Sequence, residues 1–203
     1  MSNAQNPSGV VAVCGSRSLP ASVGALVSPV VHSLVSSGRI VSVGCAAGAD
    51  ALAVSAAVQA GTASGLQVFA VGGSCGFGFA GPASAFSGVQ SAQAAGAGVS
   101  WWSGGGSSVP LRRRLVSRSL ACVGSAGALV AFVSGPPPRA WSGSGLWLSC
   151  GSGSWSSVTA AASRGNRVVV FAPGAEILQD VGSLIVVCTV LRFHRGLVSA
   201  YPL

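Results

Sequence analysis

The chain alternates short apolar runs rich in β-branched residues with longer stretches of Ala, Ser and Val, and that alternation restricts it to repeated βα units. The apolar runs read as strands at 10–14, 40–44, 66–71, 98–102, 128–133 and 167–171, with a further candidate at 184–190. The intervening segments read as helices over 21–37, 50–60, 82–95, 108–124 and 154–164. The strand runs are nearly continuous in apolar residues, as a strand covered by helices on both faces requires. The expected fold is therefore α/β: a three-layer Rossmann-like domain with a mostly parallel sheet of about six or seven strands.

A length of 203 residues suits one such domain and is short for two. The domain is placed at 10–190, after a flexible leader over 1–9 and before a tail over 191–203 that carries RFHRG and fits no element. Two stretches break the alternation, 72–81 and a Gly/Ser/Pro-rich loop over 134–153. The second is long for a compact domain, which marks it as functional or as an assembly arm. Its Trp141 and Trp147 favour contact over disorder.

Only 7% of the residues are charged, against about 25% in ordinary soluble domains. All 11 basic residues are arginine and the acids are Asp50, Glu176 and Asp180, so the formal net charge is +8. Such a balance points to a polyanion as partner, or reflects the missing acids alone. So few charges also leave a surface that associates readily, and a homo-oligomer or an extended assembly is expected. The six cysteines (14, 45, 75, 122, 150 and 188) contain no CxxC pair and the chain has two histidines, so no metal site is expected. Cys14, Cys122 and Cys188 lie in apolar runs and read as small core residues, which suits reduced thiols and a cytoplasmic location. No signal sequence is read at the start, and the longest apolar stretches, 120–133 and 184–191, fall short of the roughly 18–20 residues of a membrane span.

Three glycine-rich turns stand at strand ends or helix starts: Gly15-Ser16-Arg17, Gly44 to Asp50 with Gly48 between them, and Gly151-Ser152-Gly153-Ser154. At the carboxyl edge of a parallel sheet, glycine lets backbone amides approach phosphate oxygens, and the helix N-terminus adds partial positive charge. The other reading is tight turns alone. Arg17 is placed to clamp a phosphate bidentately or to stay in solvent. Asp50 opens a helix and is read as its cap, with a contact to a ligand hydroxyl as the alternative. Ser154 reads as the cap of the helix at 154–164, with Trp155 packed in the core. In RRRLVSR, Arg114 and Arg118 lie four apart on one face, a phosphate-contacting or simply solvated face, with Leu111, Leu115 and Val116 turned inward.

These motifs occur in one order: GSR after the first strand, GCAAGAD after the second, the arginine-rich helix before ALVAFV, and GSGSW before RVVVF. That order resembles the Rossmann-like superfamily of the bacterial DNA-processing protein A and the LOG-type phosphoribohydrolases, over roughly residues 10–174. The resemblance implies a pocket lined by Gly15, Ser16, Arg17, Gly44, Gly48, Asp50 and 151–154, single-stranded DNA as ligand, and self-association. The chain departs from the LOG pattern, whose catalytic glutamate corresponds to about Ser157, and it carries RRRLVSRS where DNA-processing proteins have Arg-Asn-Arg.

Three acids and two histidines, His32 and His194, leave little scope for acid–base or triad catalysis. His32, among apolar helix positions, is expected to be packed. The sequence reading is a noncatalytic binder of a phosphate-bearing nucleotide or single-stranded nucleic acid, with no cofactor. Its rivals are a self-assembling structural protein that kept the fold without the ligand, and an enzyme on a nucleotide with water or Asp50 as its base.

Overall fold

The computed structural model describes residues 9–136, 152–173, 180–181 and 184–187. Its strands are β1 (Val10–Gly15), β2 (Ile40–Val43), β3 (Leu66–Phe69), β4 (Gly98–Ser100), β5 (Ala128–Phe132), β6 (Arg167–Phe171), β7 (Asp180–Val181) and β8 (Leu184–Val187). The helices are α1 (Ala21–Ser36), α2 (Ala49–Gln59), α3 (Ala83–Ala94), α4 (Leu111–Gly124) and α5 (Gly153–Ala162). The strands form one sheet in the order β4-β3-β2-β1-β5-β6-β8-β7, in which every neighbouring pair is parallel except β7 with β8.

Side-chain alternation along the strands builds two cores, one on each face of this sheet. Val11, Val13, Val130 and Phe132 join residues of α1, α2 and α3 in the first. Ala12, Leu129, Ala131, Val168 and Val170 join Cys122, Trp155 and Val158 of α4 and α5 in the second. This is the expected three-layer Rossmann-like architecture. Phe132 is wholly buried and stacks on Phe171 of the neighbouring strand, ring centroids 5.1 Å apart. Ser42, equally buried in β2, is satisfied across the second layer by the Cys122 carbonyl at 3.1 Å and the Ser125 hydroxyl at 3.0 Å.

The chain lays β1 to β4 outward in one direction, then returns through α4 to place β5 on the other side of β1. The order therefore reverses between β1 and β5, and the crevice beyond their carboxyl ends is the place where open α/β sheets bind ligands.

Most predicted elements fall within a few residues of the observed ones, but several details differ. Helix α4 begins at Leu111, with Pro110 at its N-cap, rather than at Ser108 with Pro110 inside the first turn. Helix α5 is capped by Ser152, whose hydroxyl accepts the Trp155 amide at 3.5 Å, and not by Ser154. The two-residue β7 carries no sequence signal. His32 is exposed, with Nε2 3.4 Å from the Ser36 hydroxyl, because it falls on the outer side of a helix that buries Val27, Val31 and Leu34. Among the described residues no helix is long and apolar enough to cross a membrane, and no group of three metal-ligating side chains occurs. The leader over 1–8, the tail over 191–203, Trp141, Trp147, Cys150, Gly151, Cys188 and His194 lie outside the described residues.

Phe132 is wholly buried and stacked on Phe171, so Phe132→Ala should cost about 3–5 kcal/mol of unfolding free energy. Urea titration followed by circular dichroism measures it, and a loss of less than about 1 kcal/mol would contradict the close packing of Phe132 between the sheet and its helices.

Candidate functional site

Beyond the carboxyl ends of β1 and β5 lies a cavity of about 550 Å³, walled by the 14–18 turn, Ser134, the N-terminal turn of α5 and one face of α4. The β1 turn is stitched to its surroundings by backbone. The Ser16 amide donates to the Phe132 carbonyl at 2.8 Å, the Ala49 amide donates to the Ser16 carbonyl at 3.2 Å, and the Ser134 amide donates to the Ser16 hydroxyl at 3.0 Å. These contacts leave no space for a Cβ at residue 15, where it would overlap the Phe132 carbonyl and the Ala49 side chain. Gly15 therefore serves close packing of β1 against β5 and α2, while its neighbours Ser16 and Arg17 face the cavity.

Gly44 and Gly48 also make room for protein atoms. A Cβ at Gly44 would fall on the Arg118 guanidinium and the Asp50 carboxylate, and Gly48, with φ +77°, presses against the backbone of Ser16 and Arg17. Both line a second cleft, of about 510 Å³, between α2 and α3. The two cavities share Ala46 and Asp50.

Asp50 is buried in the first turn of α2 but does not cap it; the cap position is Gly48 and has no side-chain bond. Its Oδ2 accepts the Ala46 amide and an Arg118 guanidinium N–H, each at 3.1 Å. Both partners of this ion pair are buried. Burial lifts the Asp50 carboxyl above the ordinary carboxylate range, against the pull of Arg118 and of the Ala46 amide. Burial works against the Arg118 charge too, but the Asp50 carboxylate outweighs it and holds the guanidinium firmly protonated.

The faces of α4 differ from the expected ones, although Leu115 does pack against the core. Arg114 and Arg118 point inward and are buried, whereas Leu111 is 46% exposed. Arg118 turns in because Asp50 awaits it. Arg114 turns in because its guanidinium donates to the Gly78 carbonyl at 3.0 Å and lies 6.0 Å from the Trp102 ring centre. Arg114 lines neither cavity. The face of α4 that does line the first one carries Arg112, Leu115, Val116 and Ser119, together with the edge of Arg118. Sequence reasoning missed Arg112, Ser119, Ser18 and Ser134. The spacing 112, 115, 116, 119 is itself a helical face and was the available signal for the first two.

Gly15, Ser16, Arg17, Asp50, Ser152, Gly153, Ser154 and Arg118 thus meet at one cavity, without Gly44, Gly48 or Arg114, and Arg17 and Arg112 are its exposed charges. The Gly153 and Ser154 amides, which open α5, make no hydrogen bond among the described residues. Ser157, in the same wall, donates its hydroxyl to the Gly153 carbonyl at 3.1 Å. Cys14 lines the cavity as well, and burial, then the nearby Asp50 charge, pushes its thiol far above the usual range. The thiol is therefore neutral and a poor nucleophile. Trp155 packs in the core, its indole N–H 3.3 Å from the Gly135 carbonyl.

No protein-family model and no curated protein sequence matches the chain. Solved structures do. DNA processing protein A from Helicobacter pylori, described with a unique single-stranded DNA binding mode, is similar with a TM-score of 0.60 at 15% identity, over 82% of this chain and 66% of that one. DNA processing protein A from Streptococcus pneumoniae is similar with a TM-score of 0.52 at 23% identity, over 84% of this chain and 52% of that one. The chain thus spans about two thirds of the first and about half of the second. The likeness is one of fold: a Rossmann-like domain similar to that of DNA processing protein A.

The ion pair sets the stability of this site in a pH-dependent way. With Asp50 raised in the folded state, its contribution to stability is fullest below the unfolded carboxylate pKa and is lost as pH rises through the folded value. Arg118→Met removes the charge that opposes burial, so it should cost about 3–5 kcal/mol at pH 7 and visibly less at lower pH, the direction in which the raised Asp50 carboxyl takes up a proton. Asp50→Asn removes the titrating group and strands a guanidinium that cannot lose its proton, so its cost should be no larger at the higher pH than at the lower one. Urea titrations at pH 5 and 7 decide this; equal costs for Arg118→Met at the two pH values would contradict it.

Proposed function

We propose that the cavity at the β1/β5 crevice grips the phosphates of a nucleotide or of single-stranded nucleic acid, and that it binds its ligand without turning it over. The observation that carries the proposal is the pairing of two exposed arginines, Arg17 and Arg112, with the Gly153 and Ser154 amides, unbonded among the described residues, around one cavity. A guanidinium offers a planar fork of donors to phosphate, and the amides at a helix start add aligned partial positive charge. The serine-rich wall, including Ser18, Ser119 and Ser154, supplies neutral hydroxyls for sugar or phosphate oxygens.

The absence of turnover is supported by what fills the chemical positions. Asp50, the carboxylate in this wall, is buried and already accepts from Arg118 and Ala46. The resemblance to LOG-type enzymes would place their glutamate at about Ser157, whose hydroxyl is engaged by the helix backbone. The fold shared with the Helicobacter pylori protein, which is described as binding single-stranded DNA, favours a single strand over a free nucleotide. Self-association and a cytoplasmic setting belong to the same reading. Exposed Ile40, Leu52 and Leu111 suit the first, and the free thiols of Cys14, Cys45, Cys75 and Cys122 suit the second.

Fluorescence anisotropy of a labelled oligonucleotide, titrated at two salt concentrations with mononucleotides as competitors, tests the proposal. Binding should weaken with salt, and Arg17→Ala and Arg112→Ala should each reduce affinity about tenfold and lower the salt slope by about 0.7. Salt-independent binding, or affinity indifferent to both substitutions, would remove this cavity as the phosphate site.

A further inference from the structure

We infer that Phe77 and Trp102 form a stacking platform for an unpaired base of the same strand whose phosphates occupy the β1/β5 cavity. The inference rests on the phosphate-binding reading and extends it to a second contact.

The platform stands on the 72–81 segment, the excursion that interrupts the βα alternation. Phe77 is 66% exposed, the most open of the large apolar side chains among the described residues. A phenyl ring left in water on a loop tip would ordinarily mark a mobile loop, but this one is pinned at several points. The Gly73 amide donates to the Phe77 carbonyl at 2.9 Å, the Phe79 amide to the Gly76 carbonyl at 3.1 Å, and the Trp102 amide to the Gly72 carbonyl at 2.9 Å. Arg114 holds the Gly78 carbonyl from below. Gly78, with φ +69°, lies so close to the Trp102 ring that a Cβ there would stand 2.7 Å from it. Trp102 itself has φ 56°, an uncommon conformation for a bulky residue, fixed by its amide bond to Gly72 and by the Gly105 amide on its own carbonyl at 2.9 Å.

The result is a rigid aromatic edge. The Phe77 and Trp102 ring centres are 6.1 Å apart with planes at 60°, and the Arg114 guanidinium lies 6.0 Å from the Trp102 centre. An aromatic face beside an arginine is the chemistry that single-strand binders offer to bases, because every base has a π-face.

Helix α4 ties this edge to the cavity. Arg112 lines the cavity, and Arg114, in the same first turn, supports the aromatic loop. The two sites therefore lie on opposite sides of one helical turn. Exposed Arg113, between the two, keeps the intervening surface positive. A polyanion with bases free to turn outward satisfies both ends; a duplex, with its bases stacked inside, does not.

Anisotropy titrations compare wild type, Phe77→Ala and Phe77→Tyr on a labelled single strand, on an abasic strand of equal length, and on a duplex. Phe77→Ala should weaken single-strand binding roughly 5- to 100-fold, the range that loss of one base–aromatic stack gives, with the salt slope unchanged. Phe77→Tyr should retain wild-type affinity. Wild type and Phe77→Ala should bind the abasic strand alike. If the single strand binds in a salt-sensitive, Arg17-dependent way yet Phe77→Ala matches wild type, the platform is wrong and the phosphate site stands. If wild type binds no strand, both fall. If Phe77→Ala instead abolishes self-association in light scattering and leaves strand affinity intact, the patch is a contact between copies of the chain, and the inference is overturned.

Discussion

The buried pair between Asp50 and Arg118 is the interaction on which the rest of the site depends. It joins the first turn of α2 to the middle of α4 across 68 residues of sequence. It fixes Gly44, because any side chain there would displace one partner. It also fixes the rotation of α4 about its axis. With Arg118 drawn inward, the residues at 112, 115, 116 and 119 are the ones left to wall the cavity. A buried ion pair is a weak source of net stability, since desolvation consumes most of its attraction, but a misplaced partner is strongly disfavoured. Here that asymmetry selects one orientation of the helix over the others.

The same pair decides the charge of the cavity. Asp50 is the acid in its wall, and it is neutralised where it stands by Arg118. Among the described residues Arg17 and Arg112 form no ion pair, and their charge faces the crevice. A chain with three acids against 11 arginines reaches this condition without any special arrangement of its remaining surface. The scarcity of charge in the sequence and the positive crevice are thus one fact seen at two scales.

Much of the fold was legible from period and composition. Both faces of the strands are buried, so their apolar runs are continuous, and each lies within a few residues of its predicted place; Val10–Gly15 and Ala128–Phe132 are examples. The reversal of strand order follows from connectivity and lies beyond any local pattern. The site was legible by location and misread in mechanism. Gly15, Gly44 and Gly48 were expected to admit phosphate oxygens, yet the space they leave is taken by a carbonyl, an ion pair and a neighbouring turn. Arg114 and Arg118 were expected to be candidate contacts on an outward face. Local spacing cannot reveal that Asp50 and the Gly78 carbonyl, from distant segments, satisfy those guanidinium groups inside. Ser152 took the capping role from Ser154 for a smaller reason: two serines flank one glycine at the same helix start, and the sequence does not distinguish them.

Helix α4 is held at three consecutive points of one face, by Gly78 through Arg114, by Asp50 through Arg118, and by Ser42 through the Cys122 carbonyl. A helix so fastened cannot slide or roll to suit a ligand without breaking a buried polar contact. The spacing between Arg112 and the aromatic edge is therefore set before any ligand arrives. Preorganisation of this kind spares a bound strand the cost of ordering the protein, and it leaves discrimination to the strand itself. A chain of phosphates with free bases can span the fixed interval by rotating its own backbone. A mononucleotide reaches one end of it, and a duplex reaches the phosphates but keeps its bases paired. On the proposed reading, selectivity for single strands would follow from the rigidity of α4 and require no base-specific hydrogen bond.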